Sequence, residues 1–151
     1  MTLSYEDIFS RVLGRYTDPK EMSLDEDDLY ELYAERLHKV VADAYVRDIF
    51  DTLYLDDEVQ EITYTLKRSV DDQSDEDYVL QILTDGMAIQ WLEPQVDSIL
   101  YTAPFIGTNQ EKKILDGHKN MIDRLAAMKI DQHKLIRNRG YIHNSYLDGE
   151  T

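Results

Sequence analysis

Three groups of residues have types that could do chemistry: the run Asp25-Glu26-Asp27-Asp28, the acidic segment from Asp71, and the four histidines His38, His118, His133 and His143. Contiguous carboxylates on a helix point in different directions, whereas a divalent cation needs convergent oxygens. The run reads instead as acids gathered at the positive end of a helix dipole. From Asp71, alternate positions carry Asp71, Gln73, Asp75 and Asp77 in the manner of a calcium loop. Glu76, however, stands where that loop turns on glycine, and Ile82 where it needs a bidentate glutamate. No histidine lies four residues from another, so the two-histidine helical metal site is absent. His118 falls on an apolar stripe and reads as a hydrogen-bonded residue at the core edge. No Gly-x-Ser-x-Gly turn offers a nucleophile to His133 and Asp131, and the six glycines form no phosphate loop. Cysteine is absent, which removes thiolate metal sites, disulfides and cysteine nucleophiles together. The expectation is a chain that is not an enzyme and uses no cofactor or metal.

Charge narrows the partners. The chain of 151 residues has 16 basic and 31 acidic side chains, a net −15. Residues 1–77 account for −14 of this and residues 78–151 for −1. Nucleic acid backbones and anionic membranes are gripped by positive patches, so a protein partner is expected. No run of about 18 apolar residues occurs, and Met1–Asp7 lacks the basic and apolar regions of a signal peptide.

The elements that must position these residues read as helices. Ser4 caps a first helix to about Leu13, with Gly14 as its stop. Ser23 and Glu26 form a capping box before a second, whose stripe is Leu29, Tyr33, Leu37, Val40 and Ala44. Asp56-Asp57-Glu58 opens a third, with Leu55, Val59, Ile62, Leu66 and Val70 as its stripe. The fourth, capped at Ser74, is apolar on two sides: Val79, Ile82, Ile89 and Leu100 on one, Leu83, Met87 and Trp91 on the other. Gly86 lets a neighbouring backbone approach closely, and Pro94 removes the hydrogen bond to the Gln90 carbonyl and is expected to kink the helix there. A fifth helix runs from about Asn109 to Asn138 and stops at Gly140. Its outer face alternates Lys112, Asp116, Lys119 and Asp123, a self-neutralised pattern rather than a phosphate track. The fold expected is all-α: a bundle of about five helices over residues 1–140 with a central fourth helix. Residues 141–151 form a C-terminal tail.

Eleven tyrosines stand beside three phenylalanines and one tryptophan. Tyrosine buries area while satisfying its hydroxyl, and it is enriched where a surface becomes an interface. Tyr64 is expected to face away from its stripe, and Tyr30, Tyr101, Tyr141 and Tyr146 to lie near helix ends or in the tail.

Four stretches carry a resemblance: Leu24-Asp25-Glu26-Asp27-Asp28-Leu29, Leu55-Asp56-Asp57-Glu58-Val59, Gly86 through Leu100, and Glu111-Lys112-Lys113-Ile114-Leu115-Asp116. Through them the chain resembles the neck, or head–tail adaptor (connector), structural proteins of tailed bacteriophages of Gram-positive hosts. The resemblance implies a non-enzymatic virion protein in the neck, made in the host cytoplasm. It implies a homo-oligomeric ring on the portal protein, dodecameric by analogy, that presents a platform to downstream neck or tail proteins. Packaged DNA would pass nearby without specific binding, because an acidic wall releases no counterions. No membrane is involved. The competing expectation is an acidic DNA mimic that inhibits a basic enzyme. In the tail, Tyr141, Ile142, Tyr146 and Leu147 are the expected partner-binding anchors of an assembly arm.

Overall fold

Ser4 does cap the first helix, accepting a hydrogen bond from the Asp7 N–H at 3.1 Å. In the computed structural model, which describes residues 1–105 and 107–142, this serine also ends a short strand, β1 (Thr2–Ser4). Helix α1 (Tyr5–Arg15) runs through Gly14 rather than stopping there. Then come α2 (Pro19–Met22), α3 (Glu26–Ala42), α4 (Ala44–Arg47), β2 (Phe50–Asp56), β3 (Glu61–Leu66) and α5 (Asp72–Thr102). A 3-10 turn (Ala103–Phe105) leads to α6 (Thr108–Gly117) and α7 (Lys119–Ile142).

The all-α expectation is therefore corrected. The described residues are mostly helical but include a three-stranded antiparallel sheet of order β1-β3-β2. The expected third helix is the β2–β3 hairpin. In β3, Ile62 and Tyr64 point into the core while Glu61, Thr63 and Thr65 point out, a strict period of two. Leu55, Val59, Ile62 and Leu66 happen to fall three and four apart, which imitates a helix stripe. The β-branched and aromatic content of Ile62-Thr63-Tyr64-Thr65 decides against it. Leu3 pairs with Ile62 and Leu53 with Tyr64, and the Thr52 and Thr65 hydroxyls lie 2.6 Å apart. The Asp56 carboxylate accepts from the Glu58 and Val59 N–H groups at 3.0 and 3.3 Å, closing the turn. Gln60 completes it in the left-handed region, at φ 56°.

The central position of the expected fourth helix holds. Helix α5 packs against α1, α3 and α7. Val79, Ile82, Leu83 and Met87 are fully buried, Ile89 nearly so, and Trp91 half-buried. Leu100 departs from expectation and is exposed, because the buried face of α5 ends at Val96 apart from Ala103 in the turn beyond. Gly86 meets a side chain rather than a backbone: a Cβ there would lie 2.5 Å from Val40 Cγ1 and 3.2 Å from Gln132 Nε2. Pro94 sits inside the helix without ending it. Trp91 stacks on Tyr16, with ring centroids 4.4 Å apart, and its indole N–H donates to Asp18 at 3.0 Å.

Helix caps differ from the serine-based reading. Asp18, Asp25, Asp43 and Asp71 cap α2, α3, α4 and α5, each accepting a backbone N–H. Ser23 and Ser74 lie two and three residues from the caps Asp25 and Asp71, and α6, with Gly107 at its N-cap, has no side-chain cap. The fifth expected helix is two, α6 and α7, divided at His118. Gly140 lies within α7 rather than beyond it. Neither Lys112–Asp116 nor Lys119–Asp123 closes as an ion pair among the described residues.

Candidate assembly surfaces

Half of the tyrosine signal belongs to the core. Tyr5, Tyr16, Tyr33, Tyr64 and Tyr78 are buried, and Phe9 sits within 5.6 Å of the Tyr5, Tyr30 and Tyr33 rings. Tyr64, expected to face outward, lies on the inward face of β3. Its hydroxyl has no partner among the described residues, and burial, then Glu76, Asp75 and Asp72, push it up to about 12.

Four aromatic side chains are exposed among the described residues: Tyr45 on α4, Tyr54 on β2, and Tyr101 and Phe105, which sit together. Beyond Val96, α5 leaves the core and carries Leu100 at 46%, Tyr101 at 75% and Phe105 at 77% exposure. The Tyr101 and Phe105 rings lie 5.7 Å apart, so the two form one apolar knob. Helix α6 follows with no buried side chain among the described residues and with Glu111, Ile114 and Leu115 half-buried. The α5 end, the 3-10 turn and α6 thus form an elbow held mainly by contacts among themselves. Such an elbow can insert an aromatic anchor into a partner pocket, since Tyr and Phe bury large areas with few rotors.

A second surface is an acidic groove of about 650 Å³ between α3 and the hairpin turn. Glu26, Asp27, Glu31, Glu35 and His38 line it from α3, and Tyr5, Asp57 and Gln60 from α1 and the hairpin turn. Asp57 accepts from the Tyr5 hydroxyl at 2.5 Å and contacts His38 Nε2 at 2.9 Å. The Tyr5 bond, against a smaller effect of burial, and then His38 hold the Asp57 carboxyl below the usual range. Burial and the same hydrogen bond push the Tyr5 hydroxyl up. This triad ties α1, α3 and the hairpin together.

The third surface lies at the opposite end of the hairpin. A cavity of about 60 Å³ opens into a groove of about 550 Å³; Ile136, Arg68, Asp48 and Gly140 line both. The Arg68 guanidinium packs against the Gly140 backbone, where any Cβ would collide with it. Below it, Arg139 pairs with Asp75, which also accepts from the Ser69 hydroxyl at 2.5 Å and the Val70 N–H at 2.9 Å. Arg139 lies over the Tyr78 ring as well, 4.5 Å from its centroid. Burial alone would raise the Asp75 carboxyl; the Ser69 and Val70 hydrogen bonds and Arg139 overcome it and hold it low.

Of the expected anchors, Tyr141 and Ile142 are the last two residues of α7, while Tyr146 and Leu147 lie outside the described residues. Among the described residues the histidines do not converge: His38 joins Asp57, His118 contacts the Ile114 carbonyl at 2.9 Å from an exposed position, and His133 stacks on Tyr45 at 4.2 Å; His143 lies outside the described residues. The elbow was missed because Leu100 and Tyr101 continue the α5 pattern, and only the depth of the core shows where burial ends. Comparisons with family models, curated proteins and solved structures give no match.

Proposed function

We propose that the chain is a non-enzymatic virion structural protein, a head–tail adaptor that forms a ring on the portal and presents the next neck or tail protein with a platform. The observation that carries this reading is the α5–α6 elbow, whose Tyr101–Phe105 knob stands almost fully exposed on an otherwise highly charged chain. An exposed aromatic pair at the tip of a helix that has left its core costs solubility and is explained by a partner that covers it. The resemblance to adaptor proteins supplies the class of partner. A net charge of −15 keeps the unassembled chain soluble and lets passing DNA slide. The arm of residues 141–151, anchored by Tyr141, Ile142, Tyr146 and Leu147, is the second contact of this proposal.

The rival reading, an acidic DNA mimic, needs carboxylates free to imitate a phosphate row. Four aspartates are instead spent as helix caps. Electron microscopy of assembled particles carrying a labelled chain tests the proposal. Density for the label at the neck is expected, and Tyr101→Ser with Phe105→Ser should abolish incorporation while the isolated protein keeps its helicity. Removal of residues 143–151, which leaves α7 whole, should also reduce incorporation. A label absent from particles, or a double variant incorporated as well as the wild type, would overturn the reading.

A further inference from the structure

The β2–β3 hairpin bears opposite charges at its two ends. At the turn end, Glu26, Asp27 and Glu31 line the α3 groove and pair with no cation among the described residues. At the open end, the groove floored by Ile136 and Ala44 is rimmed by Arg68 and Arg137. Lys67 and Arg139 beside it are taken by Asp48 and Asp75, but Arg68 and Arg137 reach no carboxylate among the described residues. These are two of nine basic side chains with no carboxylate partner among the described residues, and what sets them apart is that both line one groove beside apolar Ile136 and Ala44. Strands of six and seven residues hold the two ends about 20 Å apart, beyond the reach of any side chain. The two charges can therefore meet only between copies.

We propose that copies of this chain associate head to tail, the basic groove at the open end of one hairpin receiving the acidic α3 face at the turn end of the next. Arginine suits the role, because its planar fork binds carboxylates in pairs of hydrogen bonds and is desolvated more cheaply than lysine. The apolar floor gives the contact area that surface ion pairs alone lack. A contact between two different patches is heterologous: it closes into a ring when the rotation between copies divides a full turn, and otherwise runs on as a filament. The use of this contact in a neck ring rests on the function proposed above; the contact itself is tested in solution, without particles.

The test is sedimentation of the full chain with two sets of substitutions, Arg68→Gln with Arg137→Gln, and Glu26→Gln with Asp27→Asn and Glu31→Gln. At low salt the wild type should sediment well above the 17.7 kDa of one chain, and about 0.5 M salt should return it to that mass. Each variant alone should remain a single chain. Their equimolar mixture should stop at two chains, because only one native contact survives between them. Arg137→Gln by itself, at an exposed side chain, repeats the first arm without disturbing the packing of Arg68 on Gly140. A wild type that stays a single chain up to about 100 μM overturns the proposal. So does one that stops at two chains, which would be a closed pair. An arginine variant that associates like the wild type also overturns it, the groove then being filled by the chain's own C-terminal residues or by another protein. A single-chain result leaves the virion reading to the particle experiment.

Discussion

Gly86 and Asp75 show how single residues set the packing around α5. The space at Gly86 is already filled by Val40 from α3 and Gln132 from α7, whose amide donates to the Ile82 carbonyl at 3.2 Å. Gly86→Ala should therefore destabilise by about 1–3 kcal/mol, although alanine is the better helix former. Denaturant unfolding should show that Val40→Ala in the same chain recovers part of the loss, a coupling expected only if the two side chains compete for one volume. Asp75 is 2% exposed and bound to Arg139. Because its folded carboxyl lies below the ordinary range, its stabilisation is complete above the unfolded value of about 3.9 and is lost as pH falls through the folded one. Asp75→Asn should cost about 3–5 kcal/mol at neutral pH by stranding Arg139. It should also flatten the acid limb of stability against pH below about pH 4; an unchanged limb would mean that other carboxylates dominate it. Sequence alone marked Gly86 as a close-approach site but not the atom that approaches, because Val40 and Gly86 are brought together only by the crossing of two helices.

The hairpin is the element that sequence pattern misassigned. Its turn places Gln60 at φ 56°, a region that costs an L-residue about 1–2 kcal/mol relative to glycine. The Gln60 carbonyl accepts the Tyr5 N–H at 2.8 Å, so the strained residue also anchors the start of α1. Gln60→Gly should keep that bond and raise stability by about 0.5–1 kcal/mol, the gain being trimmed by the greater freedom of glycine in the unfolded chain. Thermal melting measures it, and a lowered midpoint would show that the Gln60 side chain holds the groove wall. Helices α3, α5 and α7 were legible because their buried stripes recur over four or more turns. Between Leu55 and Val70 apolar residues also recur at helical spacing over about four turns, and only the alternation of Ile62, Tyr64 and Leu66 within one strand tells the hairpin apart. The elbow has the reverse problem: helical pattern persists through Tyr101 after burial has stopped.

At the scale of the whole molecule, charge acts twice with opposite signs. The net −15 repels itself within each chain, so the melting temperature of the isolated protein should rise from low salt to about 0.5 M as screening shortens that repulsion. Attraction between the two ends of neighbouring hairpins should weaken over the same range. Calorimetry at a concentration too low for association isolates the first effect, and a midpoint that falls with salt would show that ion pairs such as Arg11–Asp77 and Lys67–Asp48 outweigh the repulsion. The charge balance was fully legible in the sequence, as was the absence of any motif for nucleophilic catalysis. The meeting of Arg68 and Arg137 at one groove was not, since they stand far apart in the chain and are joined only by the close of α7 on the hairpin.

The single tryptophan gives the molecule a built-in optical reporter of one joint. Trp91 lies face to face with Tyr16 and bonded to Asp18, the residue that also caps α2 through the Lys20 N–H. Its emission will register whether the Tyr16–Met22 segment is seated on α5, not whether the helices are intact. In an unfolding experiment, a red shift that precedes the loss of ellipticity would reveal this segment lifting first. Coincident traces would mean that the joint melts with the core.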